Sequence, residues 1–411
     1  MADINPDQNA NRRGWDRHLH AFADLREGLA PTEPGASQLN GALSGTIVGV
    51  KDIIDVAGMP TRNGSATCAD APAATEDAPV VAALRQAGAH IIGKTVTTEF
   101  AFTDPTDCRN PHDLSRSPGG SSSGSGAAVG AGLVDLALGT QTAGSLCRPA
   151  AYCGAVGFKP GYGILPTRGV TPLAPSFDTV GIIARSVDLA ARAFDAMCPN
   201  RPDVDTKRPE DCAGCRMLLD FTTPIAPETE GALNDAAERL GQVCGAVAET
   251  PTSVDAETVV ADHRIVMNHE AYMAHGHLLR GDRADLLRPK FRAALQAGAA
   301  IPTTEAADAL LRLDGARDTF WAEMGDTDIL LTLPVPDGAP KMGETTGFQY
   351  WLTCWTVFRG PLISLPWGLD SLGRPRAVML AAKPGAEATL LAVAAALEGL
   401  APPLPAPQLP D

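Results

Sequence analysis

The chain has 411 residues, with 33 Lys and Arg against 48 Asp and Glu, a net charge of −15 at neutral pH. A hydrophobic fraction of 45% with 20% charged residues excludes a disordered chain and leaves ample material for a core. The acidic balance argues against a nucleic-acid binder, whose footprint is a basic face, and against docking on an anionic membrane, so neither is expected as a partner.

In chain order, residues 13–28 read as a helix with an uneven apolar stripe, and a Pro- and Gly-rich loop follows over 31–44. TIVGV at 46–50 is a short β-branched strand that puts Lys51 at a strand end. A helix is expected over 77–88, then the short buried strand HIIG. SSSGSGAAVGAGL should be a helix despite its glycines, because small residues recur and serine can cap its start. VDLALGT is a strand, QTAGSLCRPAAYCGA a turn leading into a helix, and GAVGFKP another strand. A helix over 186–198 is followed by a polar linker over 199–215. MLLDF (217–221) reads as a strand and 228–242 as a helix, with at least one further helix in the next stretch. DILLTLPVP (328–336) and GPLISLPWG (360–368) read as strands, PGAEATLLAVAAALEGL as the last helix, and APPLPAPQLP as an extended tail. Strands alternating with helices favour a layered α/β domain.

No run of about 18 apolar residues lacks polar interruption, so no membrane-spanning helix is expected. The polar N-terminus does not read as a secretory signal. The nine cysteines are scattered, which suits reduced thiols in a cytoplasmic protein. Cys212 and Cys215 form one CxxC without a second pair, so no metal site is expected.

The densest chemical signal is PGGSSSGSGAAVGAG followed by LALGTQTAGSLCRPAAYCGAVGFKP. Two Gly/Ser-rich loops are separated by a helix and a strand that can return the second to the first, with Ser121 and Ser145 lying 24 residues apart. Glycine lets backbone approach a ligand, and successive amides before a helix make an anion-binding concavity. Lys51 is embedded between apolar residues. Burial would lower its pKa and allow a neutral amine to take a proton from a serine. The alternative is a surface pairing with Asp52 or Asp55. GAHIIGKT (88–95) fits the P-loop expression, but a helix rather than a strand precedes its first glycine. GSSSG (120–124) fits a nucleophile elbow at Ser122, yet no strand leads into it. The later histidines (263, 269, 275, 277) have no acid at a telling spacing, so an α/β-hydrolase esterase is the weaker alternative.

GVKDIIDVAGMPT, DAPVVAALRQAGAHIIGKT, PGGSSSGSGAA and GTQTAGSLCRPAAYCGAVGFKP together resemble the amidase signature family, over about residues 40–400 and most weakly across 199–330. The resemblance implies a single α/β domain with a mixed central sheet flanked by helices. It divides into an N-terminal helical segment (1–40), a catalytic core (41–198), a variable substrate-side region (199–330), C-terminal core strands and helix (331–400) and a tail (401–411). It implies a Ser–cis-Ser–Lys triad of Ser145 as nucleophile, Ser121 as bridge and Lys51 as base. The amides of Thr142, Ala143, Gly144 and Ser145 would form the oxyanion hole. The implied activity is cofactor-free hydrolysis of a linear amide C–N bond in a small molecule. An alternative is the catalytic member of an amidotransferase assembly with a tRNA-linked substrate. Gln141 stands where Asp is usual, and Ala143 where Gly is frequent. Arg148 stands as in the malonamidase-like members, where it implies a hold on a substrate carboxylate. Its alternative is a structural pairing with a nearby Asp. Pocket walls are expected near 60–70, 104–118, the variable middle and 343–359. Tyr350, Trp351 and Trp355 read as packing aromatics, Arg359 as a second cation for the substrate, and a homodimer as the assembly.

Overall fold

The computed structural model describes residues 14–26, 41–198, 207–216, 223–249, 251–325 and 327–408. Its strands are β1 (Phe22–Leu25), β2 (Ile47–Lys51), β3 (His90–Thr95), β4 (Leu136–Gln141), β5 (Val156–Lys159), β6 (Thr179–Ala184), β7 (Ala213–Arg216), β8 (Ala246–Glu249), β9 (Ile329–Thr332), β10 (Leu362–Leu369) and β11 (Pro375–Ala381). They form one sheet in the order β1-β3-β2-β4-β6-β5-β10-β11-β9-β7-β8. β2 pairs parallel with both β3 and β4, and β7 with both β8 and β9, while the other ladders are antiparallel. The sheet is therefore mixed, as expected. Its central strands are buried along their whole length, which is why they read as continuous apolar runs rather than alternating ones.

The first element departs from expectation. The helical stripe stops after residues 14–19, and the chain turns at His20, whose φ is 52°. Asp16 accepts the amides of Ala21 and Phe22 through Oδ1, at 2.7 and 3.2 Å. The freed segment becomes β1 and covers the edge of β3. An uneven stripe and one acid four residues before a turn are too little to separate helix from helix-turn-strand. The expected strand 217–221 lies outside the described residues, as does the greater part of the 31–44 loop. Strands β6, β7, β8 and β11 and the helices Pro289–Ala300, Thr303–Glu323 and Tyr350–Val357 are additions to the elements expected from sequence, β7 beginning within the stretch expected as a linker.

The Ser123–Gly130 helix explains the Gly/Ser run. Seven of its eight residues are buried, so small side chains serve close approach rather than flexibility. The Gly124 amide donates to Val96 O at 2.8 Å. A Cβ at Gly124 would lie 2.1 Å from Ala21 O and 2.3 Å from Val96 N. Both are backbone atoms and cannot swing aside. Gly124→Ala should therefore destabilise the protein by about 1–3 kcal/mol or more. The check is a urea unfolding midpoint that falls at unchanged slope; an unaltered midpoint would contradict this packing.

Candidate active site

Lys51 ends β2, and its side chain is fully buried. The parallel register sets Val50 against Leu138, which brings Thr140 of β4 to the same end of the sheet. Lys51 Nζ lies 2.7 Å from Ser121 Oγ and 2.7 Å from Thr140 Oγ1. Ser121 follows a cis peptide bond at Gly120–Ser121 and is itself fully buried. The next residue, Ser122, donates its amide to Ser145 O at 3.1 Å, so the two Gly/Ser loops meet. Ser145 is buried too, at 7% exposed against 0% for Lys51 and Ser121, and is the most accessible of the three. Its hydroxyl has no hydrogen-bond partner among the described residues.

The electrostatics follow from what surrounds the amine. Burial holds Lys51 well below the ordinary lysine range; Asp178 pulls its pKa back up, and Arg148 pushes it further down. The pairings considered from sequence are taken by other groups. Asp52 Oδ1 lies 3.0 Å from Lys94 Nζ, and Asp55 accepts from Thr61 Oγ1 at 2.7 Å. Two buried lysines thus have opposite surroundings, Lys94 with a carboxylate and Lys51 with hydroxyls. The same pairing disposes of the P-loop expression. Residues 90–95 are a strand, and Lys94 is held by Asp52, Pro60 O and Thr61.

Ser122 does not behave as a nucleophile at an elbow. It is fully buried, and its Oγ donates to Thr140 O and accepts from Thr140 N, both at 3.3 Å, tying the loop to β4.

Among the described residues Arg148 is held by backbone carbonyls and Gln349 rather than by the Asp of the structural alternative. It is buried, and its guanidinium spans two backbone segments. Nε and Nη2 donate to Gly120 O, the first at 3.0 Å and the second at 2.5 Å. Nη1 donates to Gly347 O at 2.6 Å, and further to Phe348 O and Gln349 Oε1. A planar fork of donors suits this use as well as it suits a carboxylate, and sequence alone does not separate the two. Burial lowers its pKa to about 10, so it stays charged. Arg359 lies 3.7 Å from Asp314 and with its guanidinium 4.8 Å from the Tyr162 ring centroid. Trp351 and Trp355 are core residues, as expected, while Tyr350 is half exposed. The 343–359 stretch does flank the site: a Cβ at Gly144 would meet Leu352 at 2.9 Å and Gln349 at 3.5 Å.

Four further residues belong to the site and carry no assignment from sequence. Thr140 touches the amine. Asp178 accepts from Thr142 Oγ1 at 2.5 Å and from the amides of Leu173 and Ala174. Thr356 Oγ1 donates to Ala143 O at 2.6 Å. His263 Nε2 lies 2.8 Å from Thr142 O. Thr140 sits inside GTQT of β4, where an eye for polar residues in buried strands would find it, and Asp178 sits inside FDTVG, just before β6. His263 and Thr356 carry no local signal.

Residues 4–221 match the family described as Amidase. The chain belongs to the amidase signature family. It is thereby an enzyme of the amide C–N hydrolase class. The chain is similar to a glutamyl-tRNA(Gln) amidotransferase subunit of Halobacterium salinarum, 37% identical over 288 residues, which are 68% of this chain and 62% of the relative. The match therefore spans somewhat less than two thirds of that protein's length. The same-named protein of Anaeromyxobacter sp. (strain K) is 32% identical over 90% of this chain and 85% of its own. A solved structure described as an amidase superposes with a TM-score of 0.86 at 29% identity, covering 96% of this chain and 95% of that one. These likenesses correct the partner expectation of a small-molecule amide substrate and a homodimer without nucleic acid. Both curated relatives are named as subunits, and their name contains a charged tRNA. Net charge reports only on this chain's own surface, not on that of an assembly. No helix among the described residues is long and apolar enough to cross a membrane.

The depressed Lys51 pKa has a signed consequence. Between its folded value and about 10.4 the unfolded chain holds a proton that the folded chain does not, so stability rises with pH across that window. Lys51→Met removes this dependence. The difference in unfolding free energy, wild type minus variant, should climb by up to about 1.4 kcal/mol per pH unit above neutrality. A difference that is flat from pH 7 to 10 would contradict the assignment.

Proposed function

We propose that the protein cleaves amide C–N bonds through an acyl-enzyme on Ser145, with Ser121 passing the proton to Lys51, in the setting of an amidotransferase-type catalytic subunit. The observation that carries the chemistry is the 2.7 Å contact between a buried, carboxylate-free amine and Ser121, beside the loop that bears Ser145. A neutral Lys51 has a lone pair for the Ser121 proton. Ser121 in turn takes the proton of Ser145 as Ser145 Oγ bonds to the amide carbon. The oxyanion that forms is received by the amides of residues 142–145. The C–N bond then breaks, the nitrogen leaves with the proton returned from Lys51 through Ser121, and water or another acceptor releases the acyl group. The assembly part rests on the two subunit relatives, which match the chain over 68% and 90% of its length. A second reading, a free-standing amidase, is favoured by the solved amidase that superposes along 96% of the chain.

One pair of assays separates these readings. Ammonia release from glutamine, asparagine and malonamate is measured with purified protein, and conversion of labelled glutamyl-tRNA to glutaminyl-tRNA with the natively purified assembly. The subunit reading expects conversion that is lost in Ser145→Ala. Turnover of free amides without any conversion would favour the free-standing amidase. Equal ammonia release by wild type and Ser145→Ala would overturn both. Where release occurs, its rate should rise with pH as Lys51 loses its proton, and Lys51→Ala should remove it.

A further inference from the structure

The loop 142–145 has an orderly hydrogen-bond pattern. Each of its four carbonyls is engaged. Thr142 O lies 2.8 Å from His263 Nε2, and Ala143 O accepts from Thr356 Oγ1 at 2.6 Å. Gly144 O accepts from the Arg148 amide at 3.2 Å, and Ser145 O from the Ser122 amide at 3.1 Å. Among the described residues no protein group accepts from the amides of Ala143, Gly144 or Ser145.

These two facts are linked by the geometry of the peptide group. In a planar trans unit the carbonyl of one residue and the N–H of the next point in opposite directions. The only cis bond among the described residues is Gly120–Ser121. Holding Thr142 O therefore aims the Ala143 N–H the other way, and holding Ala143 O aims the Gly144 N–H. We infer that His263 and Thr356 are positioning residues, each gripping one carbonyl of this loop so that the Ala143 and Gly144 amides are presented together to the reaction's oxyanion. The inference rests on the Ser145 acyl-transfer reading above and extends it to two residues far from any motif.

The donors are well defined. A carbonyl only accepts, so His263 Nε2 carries the hydrogen. Burial lowers the pKa of this ring to about 4, which leaves it neutral and singly protonated near neutral pH. Thr356 is fixed from the far side: Gln141 Nε2 donates to its Oγ1 at 3.0 Å, so the threonine hydrogen is left for Ala143 O. The other end of the same amide, Gln141 Oε1, accepts from the amides of Leu146 and Cys147 at 3.2 and 3.1 Å. An Asp at position 141 would offer no donor to Thr356, so Gln141 and Thr356 act as a pair. His263 is brought in by the Ala256–His275 helix, where its neighbour Asp262 accepts two bonds from Arg312 of the Thr303–Glu323 helix, at 2.8 and 2.6 Å. Thr142 is also held through its side chain by Asp178.

The test is the rate at which a fluorophosphonate labels Ser145, followed by intact mass. Labelling forms an Oγ–P bond, expels fluoride and sends the serine proton toward Lys51. The phosphoryl oxygen gathers negative charge in the same concavity as a substrate oxyanion. His263→Phe and Thr356→Val should each lower the maximal labelling rate by about tenfold or more, with the concentration for half-maximal rate little changed. His263→Gln and Thr356→Ser, which keep a donor, should recover a large part of it. A purely structural role would not divide the effect in this way. Rates within twofold of wild type in both apolar variants, or donor-bearing variants as slow as the apolar ones, would overturn the inference while leaving the function proposed above intact. If one apolar variant does not fold, the other and the donor-bearing pair decide. Wild-type protein that takes up no label at Ser145 would overturn that function, and this inference with it.

Discussion

A single constraint organises the site: an amine is buried with hydroxyls for company and no carboxylate in contact. Taking an ammonium out of water costs several kcal/mol unless an opposite charge or strong acceptors repay it. Lys94, one strand away, shows the case with an opposite charge in contact, Asp52 at 3.0 Å, although burial still holds its pKa below the ordinary lysine range. Lys51 shows the other, with Ser121 and Thr140 each at 2.7 Å. Asp178, the carboxylate that draws its pKa back up, spends its oxygens on Thr142 and two amides. A lysine so placed resists its charge, and the remaining polar arrangement is intelligible as what a neutral amine at that point requires.

Around the amine the backbone is clamped rather than left loose. Arg148 grips Gly120 O, just before Ser121, and joins it to Gly347. Ser122 ties the first loop to β4 and to Ser145. Thr356 and His263 hold the second loop from helices that belong to the least motif-bearing parts of the chain. The bulk of the fold thus acts on the chemistry by fixing peptide orientation, which explains how a polar site made of loops can be as buried as the core.

Much of this is legible in the amino-acid order. The strands that carry Lys51, Thr140 and the 156–159 segment read as apolar runs, and the two Gly/Ser loops announce themselves by composition. The amidase signature resemblance puts Lys51, Ser121 and Ser145 in one set. What escapes is whatever depends on a partner distant in sequence. Arg148 looks the same whether its fork meets a carboxylate or two carbonyls. His263 lies in an ordinary polar helix, and its role follows only from packing against Thr142, 121 residues away. The start of β1 is hidden because a turn at His20, stabilised by Asp16, interrupts a stripe that periodicity extends. The partner expectation failed for a different reason: surface charge belongs to one chain, while the relatives' function is that of an assembly.

The most direct measurement is the protonation state of the amine itself. Lysine labelled with ¹⁵N at Nζ distinguishes ammonium from amine by chemical shift in the folded protein, and Lys51→Met identifies the resonance. The account predicts that this amine is already neutral at a pH where the exposed lysines and the Asp52-paired Lys94 remain charged. A Lys51 signal that stays ammonium until the ordinary lysine range near 10.4 would contradict it.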